Sequence, residues 1–223
     1  MFKAIIIGGT GATGKQLLNQ LIRNQNCDLV TSVGRRPVLD GEKNDKLVDI
    51  VVESLANLSS TEKSWEGNDV FFNCIGTTRQ RAGGAKEFIN IESNISNEAA
   101  KMAANAKIPH ASLISAKGAN HKIWAKDWIH PLLYMKTIGQ KEQTIISNFS
   151  FNSVSIFKPG MLIRLQGKQT WFKDFSELKG FGLRVDTLAS AMIHDAERVK
   201  LGLVEKSPQF FIGNSHIKGS LAL

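Results

Sequence analysis

The chain alternates short apolar segments with longer stretches whose apolar residues recur at helical spacing. Alternating strands and helices of this kind are typical of a parallel sheet that helices cover on both faces. The pattern therefore predicts an α/β fold with a doubly wound parallel sheet in three layers. The predicted strands are Ala4–Ile7, Leu29–Val33, Lys46–Ile50, Asp69–Ile75, His110–Ile114, Phe151–Phe157 and Gln209–Ile212, and the clearest helices are Lys15–Asn24, Phe88–Ala106 and Tyr134–Asn148.

The length of 223 residues suits one domain, and no internal repeat or linker divides it. We expect residues 1–160 to form the core of this domain. Residues 161–223 are expected to supply a small cap and the C-terminal elements. In that region Trp171, Phe172 and Phe175 are expected to pack the cap, and Val185–Ala189 is expected to begin a helix whose first amides bond to Asp186 or Thr187.

Seven residues rich in glycine join the first predicted strand to the first helix: Gly8, Gly9, Thr10, Gly11, Ala12, Thr13 and Gly14. Gly8 permits a tight turn, Gly11 removes a Cβ that would obstruct a diphosphate, and Gly14 allows close packing of helix on strand. A diphosphate can then lie on backbone N–H groups at the helix N-terminus. The segment predicts a Rossmann-type dinucleotide site, with a purely structural turn as the alternative.

The second predicted strand ends in Gly34, Arg35, Arg36 and Pro37. An NAD-preferring site would place an acidic residue here to hold the ribose hydroxyls, and none is present. Two guanidinium groups suit the 2′-phosphate of NADP instead, because arginine binds phosphate with two parallel hydrogen bonds. The alternative is an exposed basic turn.

Further polar residues follow the carboxyl ends of other predicted strands, where such sheets bind their ligands. Asp49 is placed to accept a hydrogen bond from the adenine amino group, and Gly76 and Thr77 lie beside the expected cofactor path. Arg164 could contact a phosphate. Each of these residues could instead belong to a turn or to a solvated surface.

Composition excludes several other classes of protein. The net charge of +8 comes from scattered lysines and arginines, which argues against a nucleic-acid-binding function. Two cysteines, Cys27 and Cys74, are too few for a disulfide framework and indicate reduced thiols. No apolar run reaches the ~20 residues of a membrane span, and the first residues already have strand character, so a cytoplasmic location is expected.

The chain resembles the atypical short-chain dehydrogenase/reductase family that includes the Tat-interactive oxidoreductase. The resemblance covers roughly residues 3–200 and implies NADP binding, with Arg35 and Arg36 at the 2′-phosphate. It also implies that Pro159 and Leu162 lie near the nicotinamide. The segments that carry it are 8–14, 34–36, 48–49, 75–79, 113–119 and 154–162, together with Tyr134, Gly139 and Glu142.

The resemblance further implies catalysis by a serine, a tyrosine and a lysine four residues after the tyrosine. Ser115 and Tyr134 match, but Ile138 occupies the lysine position. Lys136 faces away from Tyr134 on a helix, and Lys141 lies two turns along, ~10 Å away. Lys117 and Lys158 follow neighbouring strands, and their positions cannot be read from sequence.

Two functions are therefore expected. The first is transfer of hydride between NADP(H) and a small carbonyl or alcohol substrate, with Tyr134 exchanging the proton. The second is a catalytically weak NADPH-binding protein that acts as a cofactor-gated interaction or structural subunit.

Residues 120–131 form a longer segment than the family resemblance implies. They include Trp124 and Trp128, which are expected to cover the substrate cleft; a surface that docks a partner protein is the alternative. His121 and His130 are nine residues apart without a nearby cysteine, so no metal site is expected.

Overall fold

The computed structural model describes residues 1–165 and 182–222, and its core is a parallel sheet of seven strands. The order in the sheet is β3-β2-β1-β4-β5-β6-β9, so the chain reverses its direction of travel between β1 and β4. This confirms the predicted doubly wound fold. The strands are β1 Phe2–Ile7, β2 Cys27–Gly34, β3 Leu47–Val51, β4 Val70–Asn73, β5 His110–Ile114, β6 Ser153–Lys158 and β9 Gln209–Ile212, while β7 Met161–Ile163 and β8 Gly182–Arg184 form a separate parallel pair.

Helices cover both faces of the sheet. They are α1 Ala12–Arg23, α2 Arg79–Ala82, α3 Ala85–Ile89, α4 Ser96–Asn105, α5 His130–Ser147, α6 Val185–Lys200 and α7 Asn214–Gly219. A π-helical stretch, Asn90–Ile95, joins α3 to α4, and single 3₁₀ segments occur at Leu39–Gly41, Ser59–Ser64 and Ser220–Ala222.

Strand β1 shows why this sequence forms a three-layer structure. Its side chains alternate between the two faces, and both faces are apolar. Ile6 packs into one buried cluster with Leu17 of α1 and Leu188 of α6. Ile5 packs into another cluster with Ala103 of α4. Burial on both faces explains the continuous apolar run at residues 4–7.

Several element boundaries differ from those predicted. Helix α1 begins at Ala12 rather than Lys15, and α5 begins at His130 because Pro131 is favourable in a first turn. Strand β4 ends at Asn73 rather than Ile75. The Asn73 amide oxygen there accepts a hydrogen bond from the backbone N–H of Ile75, which turns the chain out of the sheet.

Much of the C-terminal region belongs to the core rather than to a cap. Strand β9 pairs with β6, and α6 packs against α1. Asp186 accepts a hydrogen bond from the Thr187 backbone N–H in the first turn of α6, as the sequence predicted. The predicted strand Gln209–Ile212 is thus part of the central sheet. Trp171, Phe172 and Phe175 lie outside the described residues.

A buried polar group connects β5, β6 and α6 at the end of the sheet opposite the glycine turn. His110 Nε2 lies 3.2 Å from Ser155 Oγ and 3.6 Å from Asp195 Oδ2. Burial lowers the pKa of His110 to about 3 and raises the pKa of Asp195 to about 6. Burial therefore favours the neutral form of both side chains.

These two groups have opposite effects on stability in acid. Between pH 6.5 and 4 the unfolded chain protonates His110 while the folded protein does not, which lowers the free energy of unfolding as pH falls. Asp195 binds its proton first in the folded state and so raises stability as pH falls from about 6 to 4. We expect Asp195→Asn to make the free energy of unfolding fall more steeply from pH 6 to 4, measured by urea titration.

The double variant His110→Gln, Asp195→Asn removes both effects and should restore a shallow pH dependence. If the free energy of unfolding changes with pH by the same slope in the wild-type protein and in Asp195→Asn, the raised pKa of Asp195 is contradicted.

Candidate active site

The glycine turn has the geometry that the sequence predicted. Gly8 has a φ of +84°, a conformation that side chains other than glycine rarely adopt, and its carbonyl accepts a 2.9 Å hydrogen bond from the N–H of Gly11. A Cβ on Gly14 would lie 2.2 Å from the Gly8 carbonyl oxygen. Close packing of α1 on this turn therefore requires glycine at position 14.

A cleft of about 440 Å³ opens above the turn, and we call it the glycine cleft. Four arginines line it: Arg35, Arg36, Arg81 and Arg164. Among the described residues that line this cleft there is no acidic side chain. The cleft is therefore suited to an anionic ligand. Its other lining residues are Gly8, Gly9, Thr10, Gly11, Ala12, Ser32, Gly34, Val38, Leu55, Cys74, Ile75, Gly76, Thr77 and Ile91.

Sequence reasoning missed Arg81. It belongs to α2, whose first turn is closed by the Thr78 hydroxyl accepting a hydrogen bond from the Arg81 backbone N–H. The segment 75–79 that carries the family resemblance ends two residues before Arg81. Only the fold brings Arg81 to the cleft above the glycine turn.

Two polar atoms near the glycine cleft have no hydrogen-bond partner within the described part of the chain. Ser32 Oγ is buried at the cleft wall, and Asp49 Oδ1 is buried behind it. The second oxygen of Asp49 accepts a 2.8 Å hydrogen bond from the Val38 backbone N–H. Asp49 thus anchors the loop that carries Arg35 and Arg36, and its contact with an adenine amino group stays a prediction. An unpartnered hydroxyl and a basic cleft fit a dinucleotide.

A second cleft, of about 300 Å³, adjoins the first, and we call it the tyrosine cleft. The two clefts share a wall made of Gly11, Ala12, residues 74–77 and Arg164. Beyond that wall the tyrosine cleft brings together the two residues expected to be catalytic, Ser115 and Tyr134. Its lining also includes Thr13, Thr78, Glu92, Ile114, Ala116, Ile138, Pro159, Gly160, Leu162 and Val185.

Tyr134 lies against an aromatic side chain and near a carboxylate. Its ring stacks on Phe88 with centroids 5.8 Å apart. Burial raises the pKa of Tyr134, and the negative charge of Glu92 raises it further. Ile138 is buried in the wall of the cleft, at the position where the family resemblance implies a lysine. Tyr134 is therefore a neutral phenol at physiological pH.

Lys141 does not take over the role of the missing lysine. Its ammonium is buried and lies 3.2 Å from Glu92 Oε2, and it also donates a 2.7 Å hydrogen bond to the carbonyl of Ile75. The other oxygen of Glu92 accepts a 2.5 Å hydrogen bond from the Thr77 backbone N–H. This ion pair fixes the loop at 74–77, which forms the wall shared by the two clefts.

The neighbouring residue on α5 forms a second buried ion pair. Glu142 Oε2 accepts a 2.7 Å hydrogen bond from Lys158 Nζ, and Glu142 Oε1 accepts one from the Ser115 hydroxyl. Lys158 also donates a 3.0 Å hydrogen bond to the carbonyl of Ala119. Sequence reasoning left Lys158 unplaced and gave no role to Glu142, because the contacts join residues far apart in the chain.

Residues 120–131 lie against the outside of α5. The backbone N–H of Asn120 bonds to the Met135 carbonyl, and Arg79 donates a 2.9 Å hydrogen bond to the carbonyl of Asp127. Trp124 and Trp128 are 63% and 72% exposed. Among the described residues that line the two clefts, none comes from this segment. Neither tryptophan lines these two clefts, and the expected cover over the substrate stays a prediction.

Within residues 1–165 and 182–222, no three or more histidine, cysteine, aspartate or glutamate side chains are arranged to hold a metal ion. Within the same ranges no helix combines the length and the apolar composition that a membrane crossing requires. Cys27 and Cys74 are both free and buried.

The buried pair between Lys141 and Glu92 gives a stability test. Lys141→Met leaves the Glu92 carboxylate buried without its cation, and we expect the free energy of unfolding to fall by about 3 to 5 kcal/mol. The matched control is Lys101→Met, which removes an exposed lysine 3.9 Å from Glu98 and should change stability by less than about 0.5 kcal/mol. Urea unfolding measures both, and equal effects would contradict the role given to Lys141.

Comparison with known proteins identifies the family of this chain. Residues 8–193 match the family model described as NAD(P)H-binding. Protein HTATIP2 of Rattus norvegicus is 29% identical over 200 residues, which cover 85% of this chain and 79% of that protein. The mitochondrial protein FMP52 of Debaryomyces hansenii is 36% identical over 161 residues, which cover 72% of this chain and 66% of that protein.

Solved structures share the fold at low sequence identity. The oxidoreductase ylbE from Lactococcus lactis is 16% identical, with a TM-score of 0.67 and coverage of 99% of this chain and 95% of that one. UDP-glucuronic acid 4-epimerase from Bacillus cereus, solved in complex with NAD, is 13% identical, with a TM-score of 0.67 and coverage of 94% of this chain and 76% of that one. With its glycine turn, basic cleft and matched relatives, this chain belongs to the NAD(P)H-binding family and is an atypical short-chain dehydrogenase/reductase protein.

Proposed function

We propose that this protein is an NADP(H)-dependent oxidoreductase that transfers hydride between the cofactor and a small carbonyl or alcohol substrate. One observation carries the proposal: the cleft that contains Tyr134 and Ser115 shares a wall with the arginine-lined cleft above the glycine turn. A dinucleotide bound along that wall would extend from the arginines of the glycine cleft to Tyr134 in the tyrosine cleft.

The residues of the two clefts divide into groups that suit different parts of NADPH. The turn from Gly8 to Gly14, with Thr10, Gly11, Ala12 and Thr13, offers the free amides of the α1 N-terminus to the diphosphate. Arg35 and Arg36 are exposed at the end of β2, where they would pair with the 2′-phosphate. Gly76 and Thr77 belong to the shared wall, and Pro159 and Leu162 line the tyrosine cleft, where the nicotinamide would lie. When bound, NADPH supplies the hydride.

Tyr134 is suited to one direction of the reaction more than the other. As a neutral phenol it can donate its proton to a carbonyl oxygen during reduction. Oxidation of an alcohol would require the phenolate, which burial and the charge of Glu92 disfavour. The ammonium of Lys141 is paired with Glu92, so it does not replace the lysine that the family resemblance implies beside Tyr134. A slow reductase is the expected result.

A second function is favoured by two observations. Ile138 replaces the expected lysine, and two exposed tryptophans, Trp124 and Trp128, lie outside the clefts. A cofactor-gated interaction or structural subunit would use the same NADPH site without turnover and would bind a partner protein through residues 120–131.

We propose a cytoplasmic location from the two buried thiols. The D. hansenii relative is named as a mitochondrial protein.

Cofactor preference tests the assignment of Arg35 and Arg36. We expect the wild-type protein to bind NADPH at micromolar concentration and NADH much more weakly in calorimetric titrations. The double variant Arg35→Ala, Arg36→Ala should lose roughly 10- to 100-fold in NADPH affinity, because it loses charge-assisted hydrogen bonds to the phosphate, while NADH affinity changes little. Arg23→Ala, at the exposed end of α1, is the matched control. Equal losses for NADPH and NADH would contradict the assignment.

Turnover tests Tyr134 and separates the two functions. Tyr134→Phe should lower carbonyl-dependent NADPH oxidation by about 100-fold or more, since the proton donor is lost. Ile138→Lys should raise the wild-type rate but give no gain in the Tyr134→Phe background. Absorbance of NADPH follows each rate. NADPH binding without oxidation by any carbonyl in a broad panel would favour the interaction subunit over the reductase.

A further inference from the structure

Helix α2 is a single turn that few contacts hold in place. It consists of Arg79–Ala82, and none of these residues is buried. The Thr78 hydroxyl closes its first turn, and Gly83 and Gly84 follow it with φ values of +86° and +157° and open space where a Cβ would lie. A helix of one turn is not stable by itself, and glycines at its end allow its direction to change. The position of α2 therefore depends on what its side chains contact.

Two arginines of α2 contact different parts of the molecule. Arg81 lines the glycine cleft, where the diphosphate and the 2′-phosphate of NADPH would lie. Arg79 is half-buried, and its guanidinium donates a 2.9 Å hydrogen bond to the backbone carbonyl of Asp127. One short helix thus lies between the proposed cofactor site and residues 120–131.

Residues 120–131 also depend on few contacts. None of them is buried, and only the last two belong to a helix. The first residue of the segment donates a backbone hydrogen bond to α5. Farther along, the bond from Arg79 holds Asp127, which lies between the exposed Trp124 and Trp128 in the sequence. A segment with so little buried surface opens easily, so its order depends on its attachment to α2.

We propose that NADPH binding orders residues 120–131 through α2, with Arg81 contacting a phosphate of the cofactor and Arg79 transmitting the change to Asp127. The inference rests on the proposed NADPH site. A ligand shifts a conformational equilibrium only when it binds one state more tightly than the other. Arg81 supplies that difference, because its charge-assisted hydrogen bond to phosphate forms only while α2 lies over the glycine cleft. The two exposed tryptophans of the segment are then fixed by occupancy of the cofactor site.

Hydrogen exchange measured by mass spectrometry tests the coupling on the full chain. We expect saturating NADPH to slow amide exchange by about 5-fold or more in residues 79–84 and in residues 121–129 of the wild-type protein. Arg79→Ala should keep the protection of residues 79–84 and lose that of residues 121–129, because the connection between them is removed. Gln80→Ala, on the same helix with a side chain that lines neither cleft, is the matched control and should behave as wild type.

The outcomes separate the inference from the proposed function. If NADPH binds the wild-type protein without slowing exchange in residues 121–129, the inference is overturned while the cofactor assignment stands. Equal protection of this segment in the wild-type protein and in Arg79→Ala would also overturn it, because the connection would then run through another element. If NADPH does not bind in calorimetric titrations, the proposed function fails, and the inference fails with it.

The coupling must also act in the opposite direction, since linkage between two sites is reciprocal. Arg79 lines neither cleft, yet Arg79→Ala should weaken NADPH binding by about 5-fold in calorimetric titrations, whereas Gln80→Ala should leave it unchanged. Arg81→Ala should weaken it by about 10-fold or more, because a charge-assisted hydrogen bond is lost. An NADPH affinity that is unchanged in either arginine variant would contradict the coupling.

Discussion

Two adjacent residues of one helix, Lys141 and Glu142, hold the walls of the tyrosine cleft in place. Lys141 reaches the loop after β4 through Glu92 and the Ile75 carbonyl, while Glu142 reaches Ser115 after β5 and Lys158 at the end of β6. Each charge is buried, so each depends on its partner. The shape and the polarity of the cleft therefore follow from these two ion pairs.

The same ion pairs explain how the site differs from the pattern that its family resemblance implies. A lysine beside the tyrosine would lower the pKa of the phenol and hold a ribose hydroxyl. Here Ile138 occupies that position, and the nearest charge that affects Tyr134 is the carboxylate of Glu92. Four arginines line the glycine cleft, and one of them, Arg164, also lines the tyrosine cleft. These features favour firm cofactor binding and slow proton transfer.

The sequence predicted the parts of the structure that depend on local pattern. The glycine turn, the seven strands of the sheet and the basic end of β2 could all be predicted, because buried strands and tight turns restrict which residues can occupy their positions. The buried ion pairs were not, since Glu92 and Lys141 are 49 residues apart and meet only in the fold. Helix geometry placed Lys141 on the face of Tyr134 but could not show that its ammonium is bound to Glu92. For the same reason, the sequence could not show that residues 120–131 are absent from the lining of the two clefts.

A crystal structure of the NADPH complex tests the central claim most directly, because it locates both ends of the cofactor at once. The account predicts the 2′-phosphate between Arg35 and Arg36, the diphosphate at the N-terminus of α1, and the nicotinamide beside Tyr134 in the tyrosine cleft. A nicotinamide that points away from Tyr134, or a 2′-phosphate without an arginine contact, would contradict it.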